Sequence, residues 1–378
     1  MKTRNILSVL AALAIVAAAA SLISCPASIY YTLENEVETP DNTLNNLISI
    51  LGMTKSGSDY YAAAGPVWRG VAGTGTVTWD TAAPLTPPVA GAMCNSLVTF
   101  GVTGDLYGGF ITQSGNLGLY KAAGPSPSDF SVQVPHLLVK DKQVILLDVL
   151  RSGGDLVVCT GTPVSGPDPF QYDLVISTDG VAFASLLLPA VITRPFTGVA
   201  YTSTPDTYWA VSGTSLYSGT AGSLAVDTRL VKSSSDEVLT SVFGDNGTRL
   251  FVASNKGFVY YSDDEGATWY KNAAAVEVNG TGVSFLTVAG GSSSSSMLVG
   301  SNGYGYFILT IAGSAPSLTL TLTRFSVNTI GLYSGSVRQF LLDPVYPNRL
   351  FACTNAKGLW RNESFDSATC AVGAWSQE

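Results

Sequence analysis

Three stretches carry one pattern and decide the fold: Arg249-Leu-Phe-Val-Ala-Ser254, Ser296-Met-Leu-Val-Gly-Ser301 and Arg349-Leu-Phe-Ala-Cys-Thr354. Each is a short apolar run that ends in a small residue, which is typical of a β-strand. Weaker copies lie upstream at 59–64, 105–110, 155–160 and 207–212. A unit that recurs about every fifty residues indicates a repeat architecture, and it argues against a β-sandwich.

Each copy is the second strand of a longer unit. Third strands follow, as at Gly257–Tyr261 and Gly358–Arg361. The first strands are predicted at Leu44–Leu51, Val89–Cys94, Val144–Leu150, Thr197–Thr202, Val238–Phe243, Val283–Val288 and Val337–Leu342. Four short strands per period suit one blade of a β-propeller. We therefore predict an all-β chain whose residues 44–378 form a seven-bladed β-propeller with four-stranded antiparallel blades.

The closure of the ring is open at this stage. Val372–Gln377 is predicted to be the last strand of blade seven. Ile29–Val37 either adds an outer strand or is a free tether. In the second case the ring closes by packing the first blade on the last.

Composition excludes several classes of function. The chain has 12% charged residues and a net charge of −8, so it lacks the clustered Lys and Arg that nucleic acid requires. His136 is the single histidine, and no Cys-x-x-Cys motif occurs. We expect neither a metal nor a cofactor. Cys94, Cys159, Cys353 and Cys370 follow the leader, and a disulfide between the last two stays open.

The first residues predict export. Lys2 and Arg4 precede an apolar run at Ile6–Ala20, a pattern typical of a signal peptide. Leu22-Ile23-Ser24-Cys25 then resembles the lipobox of bacterial lipoproteins. The resemblance implies cleavage before Cys25 and acylation of that cysteine, with palmitate among the acyl chains.

The anchor divides the chain into three parts. Residues 1–24 are the predicted lipoprotein signal peptide, 25–43 a lipidated acidic tether and 44–378 the propeller. Pro26 stands where Asp retains some lipoproteins at the inner membrane. We therefore expect a membrane anchor in the cell envelope outside the cytoplasm, with the outer membrane or cell surface favoured over the inner membrane.

Two further stretches point to a family. Ser262-Asp263-Asp264-Glu265-Gly266-Ala267-Thr268-Trp269 matches the Asp box, Ser-x-Asp-x-Gly-x-Thr-Trp, at every specified position. Blade seven contains the run Asp343–Trp360, with Asp-Pro, Pro-Asn and Gly-Leu-Trp in order. The chain thus resembles the BNR/Asp-box repeat propellers, a group that includes sialidases, other glycosidases, sorting receptors and photosystem assembly factors.

In that family the box is a structural turn between the third and fourth strands. The resemblance implies this role for Ser262, Asp264, Gly266 and Trp269, whose turn lies away from the ligand face. A degenerate copy, one residue shorter, is formed by Ser177, Asp179, Gly180 and Phe183. The Asp accepts backbone N–H bonds, as in an Asx turn, and the Gly allows the backbone angles.

A catalytic role is not evident from the motifs. The Phe/Tyr-Arg-Ile-Pro signature of sialidases is absent from the sequence. A pair of carboxylates for another glycosidase stays open, with four candidates near the ends of first strands. They are Asp148, Glu237, Asp245 and Asp343, and each is more simply read as a solvated turn residue. The favoured function is a non-enzymatic binding or assembly scaffold; the alternative is a sialidase-like or other carbohydrate-active enzyme.

The predicted ligand face carries the loops between second and third strands. The longest, Gly161–Gln171, contains Asp168 and Phe170 and is the candidate binding loop for a protein or glycan. Trp68, Trp209 and Trp360 are expected to pack between blades rather than to form a sugar platform. His136 is expected in a surface loop.

Overall fold

A computed structural model describes residue 44, residues 49–73, 77–80, 84–113, 115–165, 170–186, 191–290, 295–325, residue 332 and residues 334–378. The predicted signal peptide, the tether with Cys25 and the Ile29–Val37 segment lie outside the described residues, and so does Asp168. Within these ranges no helix has the length and apolar character needed to cross a bilayer.

Seven four-stranded antiparallel sheets follow one another along the chain. Blades 1 and 2 contain β1 (Gly52–Ser56), β2 (Asp59–Ala63), β3 (Val67–Ala72), β4 (Val77–Trp79), β5 (Met93–Phe100), β6 (Asp105–Thr112), β7 (Gly115–Ala122) and β8 (Val132–Gln133). Blades 3 and 4 contain β9 (Gln143–Leu150), β10 (Asp155–Pro163), β11 (Phe170–Ser177), β12 (Ala184–Ser185), β13 (Phe196–Ser203), β14 (Asp206–Ser212), β15 (Ser215–Gly219) and β16 (Ala225–Asp227). A 3₁₀ turn, Arg151–Gly153, joins β9 to β10.

The remaining blades repeat the same order. Blade 5 contains β17 (Leu239–Gly244), β18 (Leu250–Ser254), β19 (Val259–Ser262) and β20 (Tyr270–Lys271), and a short hairpin of β21 (Glu277–Val278) and β22 (Thr281–Gly282) follows it. Blades 6 and 7 contain β23 (Phe285–Ala289), β24 (Ser296–Ser301), β25 (Tyr306–Ala312), β26 (Thr319–Arg324), β27 (Ser336–Leu342), β28 (Leu350–Asn355), β29 (Leu359–Asn362) and β30 (Trp375–Gln377). The predicted seven-bladed architecture is confirmed.

The second strand of each blade explains the repeat seen in the sequence. Every residue of β2, β18 and β24 is buried, because both faces of the strand pack against neighbouring blades. Such a strand is a continuous apolar run, whereas a strand buried on one face alternates. Seven clusters of buried apolar residues, each spanning two adjacent blades, form the core.

Two predicted first strands were misplaced. Leu44–Leu51 was predicted as the first strand of blade 1, but β1 begins at Gly52, and its pairing of Ser56 with Asp59 fixes a two-residue turn. The first strand of blade 2 was predicted at Val89–Cys94, which is also too early in the chain, because β5 spans Met93–Phe100. In both blades the turn before the second strand sets the register, and the apolar run upstream misled the prediction.

Among the described residues the first blade packs on the last and the two blades share no strand; the Ile29–Val37 segment lies outside these residues. The side chain of Gln339 in β27 accepts a hydrogen bond from the Met53 amide (2.8 Å) and donates one to the Met53 carbonyl (3.2 Å). The Ile50 amide donates to the Thr354 carbonyl at 2.9 Å. The predicted last strand at Val372–Gln377 is present as the shorter β30, which pairs with β29.

Candidate binding face

The innermost strands of all seven blades run in the same direction, so their first residues lie at one end of the ring. The inter-blade loops and the turns between second and third strands lie at this end as well. We call it the mouth face. The opposite face carries the turns between first and second strands and those between third and fourth strands.

A tunnel of about 420 Å³ runs between the innermost strands, and every blade contributes to its wall. The exposed surface of the lining is more polar than apolar, and the residues that line it include Asn95, Thr197, Thr287 and Gln339 beside Ile145 and Leu286. Among the described lining residues the charged side chains are Asp148 and Arg338. The tunnel therefore holds one carboxyl group, and the pair of carboxylates that a glycosidase would place across its substrate is not formed there.

Asp148 is half-buried in the tunnel wall, and burial raises the pKa of its carboxyl group to about 6 although the Val149 amide donates to it at 2.8 Å. Within the described ranges no cation pairs with Asp148. The reading of Asp148 as a solvated turn residue was wrong, because its strand faces the tunnel.

Replacing Asp148 by Asn is expected to stabilise the protein above pH 7. The unfolded carboxyl group has a pKa of about 3.9, below the folded value of about 6. The native state therefore binds more protons between these values, and stability falls as the pH rises through this window. Two pKa units correspond to about 2.7 kcal/mol; since Asp148 is only half-buried, we expect a gain of about 1 to 2 kcal/mol.

Urea unfolding at pH 8 and pH 4 measures this gain. At pH 4 the Asp148 carboxyl group is neutral in the folded wild type and only about half ionised in the unfolded one, so the two unfolding midpoints should nearly coincide. If Asp148→Asn were no more stable than the wild type at pH 8, this result would contradict a raised pKa of Asp148 in the folded protein.

A second cavity of about 430 Å³ opens at the mouth face, where the tunnel begins. Arg194 and Arg338 stand on its rim, and both side chains are exposed. No carboxylate of the described residues lies within salt-bridge distance of either guanidinium. The floor is apolar or carries hydroxyl groups, with Leu51, Val238, Leu239, Leu286, Thr197 and Thr240. We call this cavity the mouth pocket.

The other candidate carboxylates do not reach the tunnel. Glu237 is fully buried below an inter-blade loop, where it accepts hydrogen bonds from the Ser233 amide (2.8 Å) and the Tyr260 hydroxyl (2.9 Å). Asp245 lies at the opposite face and accepts the Gly247 amide at 2.8 Å. Asp343 is buried at the seam between blades 7 and 1. The reading of Glu237 and Asp343 as solvated residues was wrong, because partners distant in sequence bury them.

The 262–269 turn connects β19 to β20 on the face opposite the mouth. The Ser262 hydroxyl is fully buried; it donates to Asp264 at 2.8 Å and accepts the Gly266 amide at 2.7 Å. Asp264 in turn accepts the Thr268 amide at 2.7 Å. The half-buried Trp269 packs edge-on against Trp209 of the preceding blade, at 6.4 Å between ring centroids. These contacts hold the turn together and pack it against blade 4.

The 177–183 turn has the same construction in blade 3. Asp179 accepts the amides of Val181 and Ala182, each at 2.8 Å, and the Ser177 hydroxyl accepts the Gly180 amide at 2.8 Å. Phe183 is buried where the longer turn has its tryptophan. The 177–183 turn is one residue shorter than the 262–269 turn. It is closed in a similar way because Asp179 accepts the amides two and three residues later, whereas Asp264 accepts the amide four residues later.

Replacing Gly266 by Ala is expected to destabilise the protein by about 1 to 3 kcal/mol. Gly266 has a φ of +73°, which disfavours any residue with a Cβ, and that atom would lie 2.6 Å from the Trp209 Cη2 atom. Gly280→Ala is the matched control, because Gly280 has a φ of +74° and open space around its missing Cβ. Equal shifts of the urea midpoint in the two variants would contradict the steric argument.

The remaining predicted residues do not form a site together. Phe170 is half-buried at the start of β11 and stacks on Tyr172, at 6.1 Å between centroids. His136 lies in the loop before β9, half-buried against Phe183. Trp209 and Trp360 are buried between blades and Trp68 is half-buried, so none forms an exposed platform. Cys94, Cys159, Cys353 and Cys370 are buried free thiols.

Sequence reasoning missed the two arginines of the mouth pocket. They lie in different blades, and no local motif marks either one. Arg194 was considered only as part of a sialidase signature, which Arg194-Pro195-Phe196 does not match. A signal does exist once the blades are aligned: each arginine is within two residues of the start of an innermost strand.

Seven sheets in a closed ring, each with its first strand at the tunnel, define the chain as a seven-bladed β-propeller. No family model matches the sequence, and no curated protein matches it. Solved structures do share the fold. One is YCF48 bound to D1 peptide, with 15% identity and a TM-score of 0.56 over 89% of this chain and 99% of that one.

Two other solved structures also share the fold. A putative 6-phosphogluconolactonase from Bacteroides uniformis has 12% identity and a TM-score of 0.52 over 85% of this chain and 93% of its own. Raptor from Chaetomium thermophilum has 13% identity and a TM-score of 0.52 over 89% of this chain and 29% of its own. At such identities the similarity shows the fold alone.

Proposed function

We propose that this chain is a membrane-anchored, non-enzymatic β-propeller that binds a protein partner at its mouth pocket. The observation that carries the proposal is the pocket itself, in which two exposed arginines without carboxylate partners among the described residues border an aliphatic floor. Arginine is enriched in protein interfaces and forms charge-assisted bonds with carboxylates. The expected partner is a segment with acidic and aliphatic side chains.

The comparison with YCF48 supports this proposal at the level of the fold, because that propeller is described with a bound peptide. The tunnel adds a second argument, since its one described carboxyl group lacks the partner that acid–base hydrolysis requires. The Asp-box relationship belongs to the proposal as well. Its support is the bonding of the 262–269 turn, which leaves the mouth face to the ligand.

The test is recovery of a partner from envelope extract on immobilised full-length chain. Arg194→Gln with Arg338→Gln removes two charge-assisted interactions of roughly 1.5 to 3 kcal/mol each, so capture should fall more than tenfold. Lys256→Gln is the matched control, because this exposed cation lies on the same face outside the pocket. Equal capture by both variants would refute the assignment. A captured ligand that resists protease and is lost after glycosidase treatment would make the partner a glycan.

The anchor is proposed from Cys25 and the lipobox-like stretch before it. Cells given an alkyne-tagged palmitate should label the wild type at Cys25, and Cys25→Ala should abolish the label. Cys94→Ala is the control, since that thiol is buried in the propeller and should leave labelling unchanged. Persistent labelling of the Cys25→Ala variant would exclude the lipoprotein assignment, and with it the proposed location in the cell envelope.

A further inference from the structure

Three consecutive inter-blade loops on the mouth face carry a protruding aliphatic side chain. Leu137 precedes β9 and is 82% exposed, Val191 precedes β13 and is 72% exposed, and Val231 precedes β17 and is 77% exposed. They mark the boundaries between blades 2 and 3, 3 and 4, and 4 and 5. Isolated exposed aliphatic residues are ordinary, but a series at equivalent positions of one face needs an explanation.

Each of the three residues has a cation within three positions in the chain: Lys140, Arg194 and Lys232 respectively. Lys232 is half-buried, and its Nζ donates to the Glu237 carbonyl at 3.3 Å. Of the exposed acids in these loops, Asp236 pairs with Lys256 at 2.9 Å, and Asp141 lies between Lys140 and Lys142 in the chain. The opposite face lacks this pattern. Its protruding Val102, Val181 and Val345 have no Lys or Arg within three residues in the chain.

We propose that these three loops rest on an anionic bilayer surface. An aliphatic side chain can enter the boundary between headgroups and acyl chains, while a neighbouring Lys or Arg stays with the anionic headgroups. The three loops belong to different blade boundaries around the ring, so a broad surface contacts all of them at once. Leu51, which directly precedes β1, lines the mouth pocket, so the chain enters β1 from the mouth face.

The inference does not depend on acylation of Cys25, but it shares Arg194 with the proposed partner site in the mouth pocket. It concerns how the propeller is oriented, and it leaves the opposite face, with the 262–269 turn, directed to solvent. A partner bound at the mouth would then be a segment close to the membrane surface.

The orientation can be read with an environment-sensitive dye. Single reporter cysteines at Leu137, Val191 and Val231, and at Val102 as the control, are labelled with a nitrobenzoxadiazole dye in the full chain with Cys25→Ala. The native thiols of the propeller are buried, and burial raises the pKa of Cys94 and of Cys159 to about 12, so they should not react. Vesicles of phosphatidylcholine with phosphatidylglycerol should shift the emission of the first three dyes to the blue, and doxyl lipids should quench them.

A charge variant isolates the membrane contact from the partner site. Lys140→Gln with Lys232→Gln leaves both mouth arginines in place, and each cation near an anionic surface contributes about 1 kcal/mol, roughly fivefold in partitioning. The blue shift should weaken in this variant and in 1 M salt, while the urea midpoint and partner capture persist. The proposal would be overturned if the dyes at Leu137 and Val102 showed equal blue shifts, or if vesicles caused no blue shift. It would also be overturned if the blue shift appeared only when envelope protein was added.

Discussion

Replacing Asp343 by Asn is expected to destabilise the propeller by about 3 to 5 kcal/mol, because it leaves the buried Lys55 without its anion. Arg349 keeps its pair with Glu363 at 2.8 Å. Asp343 accepts hydrogen bonds from the Tyr60 hydroxyl and from Lys55 Nζ at 2.7 Å, and Arg349 lies 3.8 Å away. The side chains of Lys55 and Arg349 are 6% and 1% exposed. Burial alone would raise the pKa of Asp343, but the bonds from Lys55 and Tyr60 hold it below its ordinary value.

The control for this variant is Asp236→Asn, which breaks an ion pair with exposed Lys256 and should leave the urea midpoint near that of the wild type. A third variant, Asp343→Asn with Lys55→Met, should recover part of the loss because one unpaired cation is removed. If the Asp343→Asn variant were as stable as the Asp236→Asn variant, the seam between blades 7 and 1 would not depend on the bonds that Asp343 makes.

Replacing Trp209 by Ala should cost about 3 to 5 kcal/mol, the range for a large buried aromatic side chain. Trp209 is 1% exposed between blades 4 and 5, where its indole N–H donates to the Thr202 hydroxyl at 3.0 Å. Trp68→Ala is the matched control, since this tryptophan of blade 1 is half-buried. Trp68→Ala should lower the free energy of unfolding clearly less than Trp209→Ala. Equal decreases would mean that Trp209 packs no more tightly than Trp68.

A double-mutant cycle links this prediction to the 262–269 turn. The Cβ of an alanine at position 266 would collide with the Trp209 ring, so that part of the Gly266→Ala cost should vanish in the Trp209→Ala background. The cost of the positive φ remains in both backgrounds. Additive losses in the cycle would show that the turn and the indole do not touch in solution.

The parts of the fold that the sequence predicted are those fixed by local chemistry or by burial on both faces. The 249–254 and 349–354 runs could be recognised because their neighbours cover both sides. The Ser262 and Asp264 contacts could be expected because all of them lie within one turn. The innermost strands border the tunnel and mix polar with apolar residues, so β1 and β5 could not be placed from pattern alone.

The functional features depend on residues distant in sequence. Asp343 was read as a solvated turn residue because Lys55 and Tyr60, which bury it, come from the first blade. Arg194 and Arg338 meet at the mouth only after the ring has closed. Such pairings follow from the order of seven blades around an axis, which a single sequence does not reveal.

Because every blade is built from consecutive strands, the position at which the chain opens is topologically arbitrary. The Leu359 amide donates to the Leu44 carbonyl at 3.0 Å, and the Leu359 carbonyl accepts the Glu378 amide at 2.9 Å. The first and last residues of the described ring are therefore bonded to one and the same residue. The described ring is therefore expected to tolerate circular permutation. A short linker from 378 to 44 and a new opening at another inter-blade loop would preserve every blade.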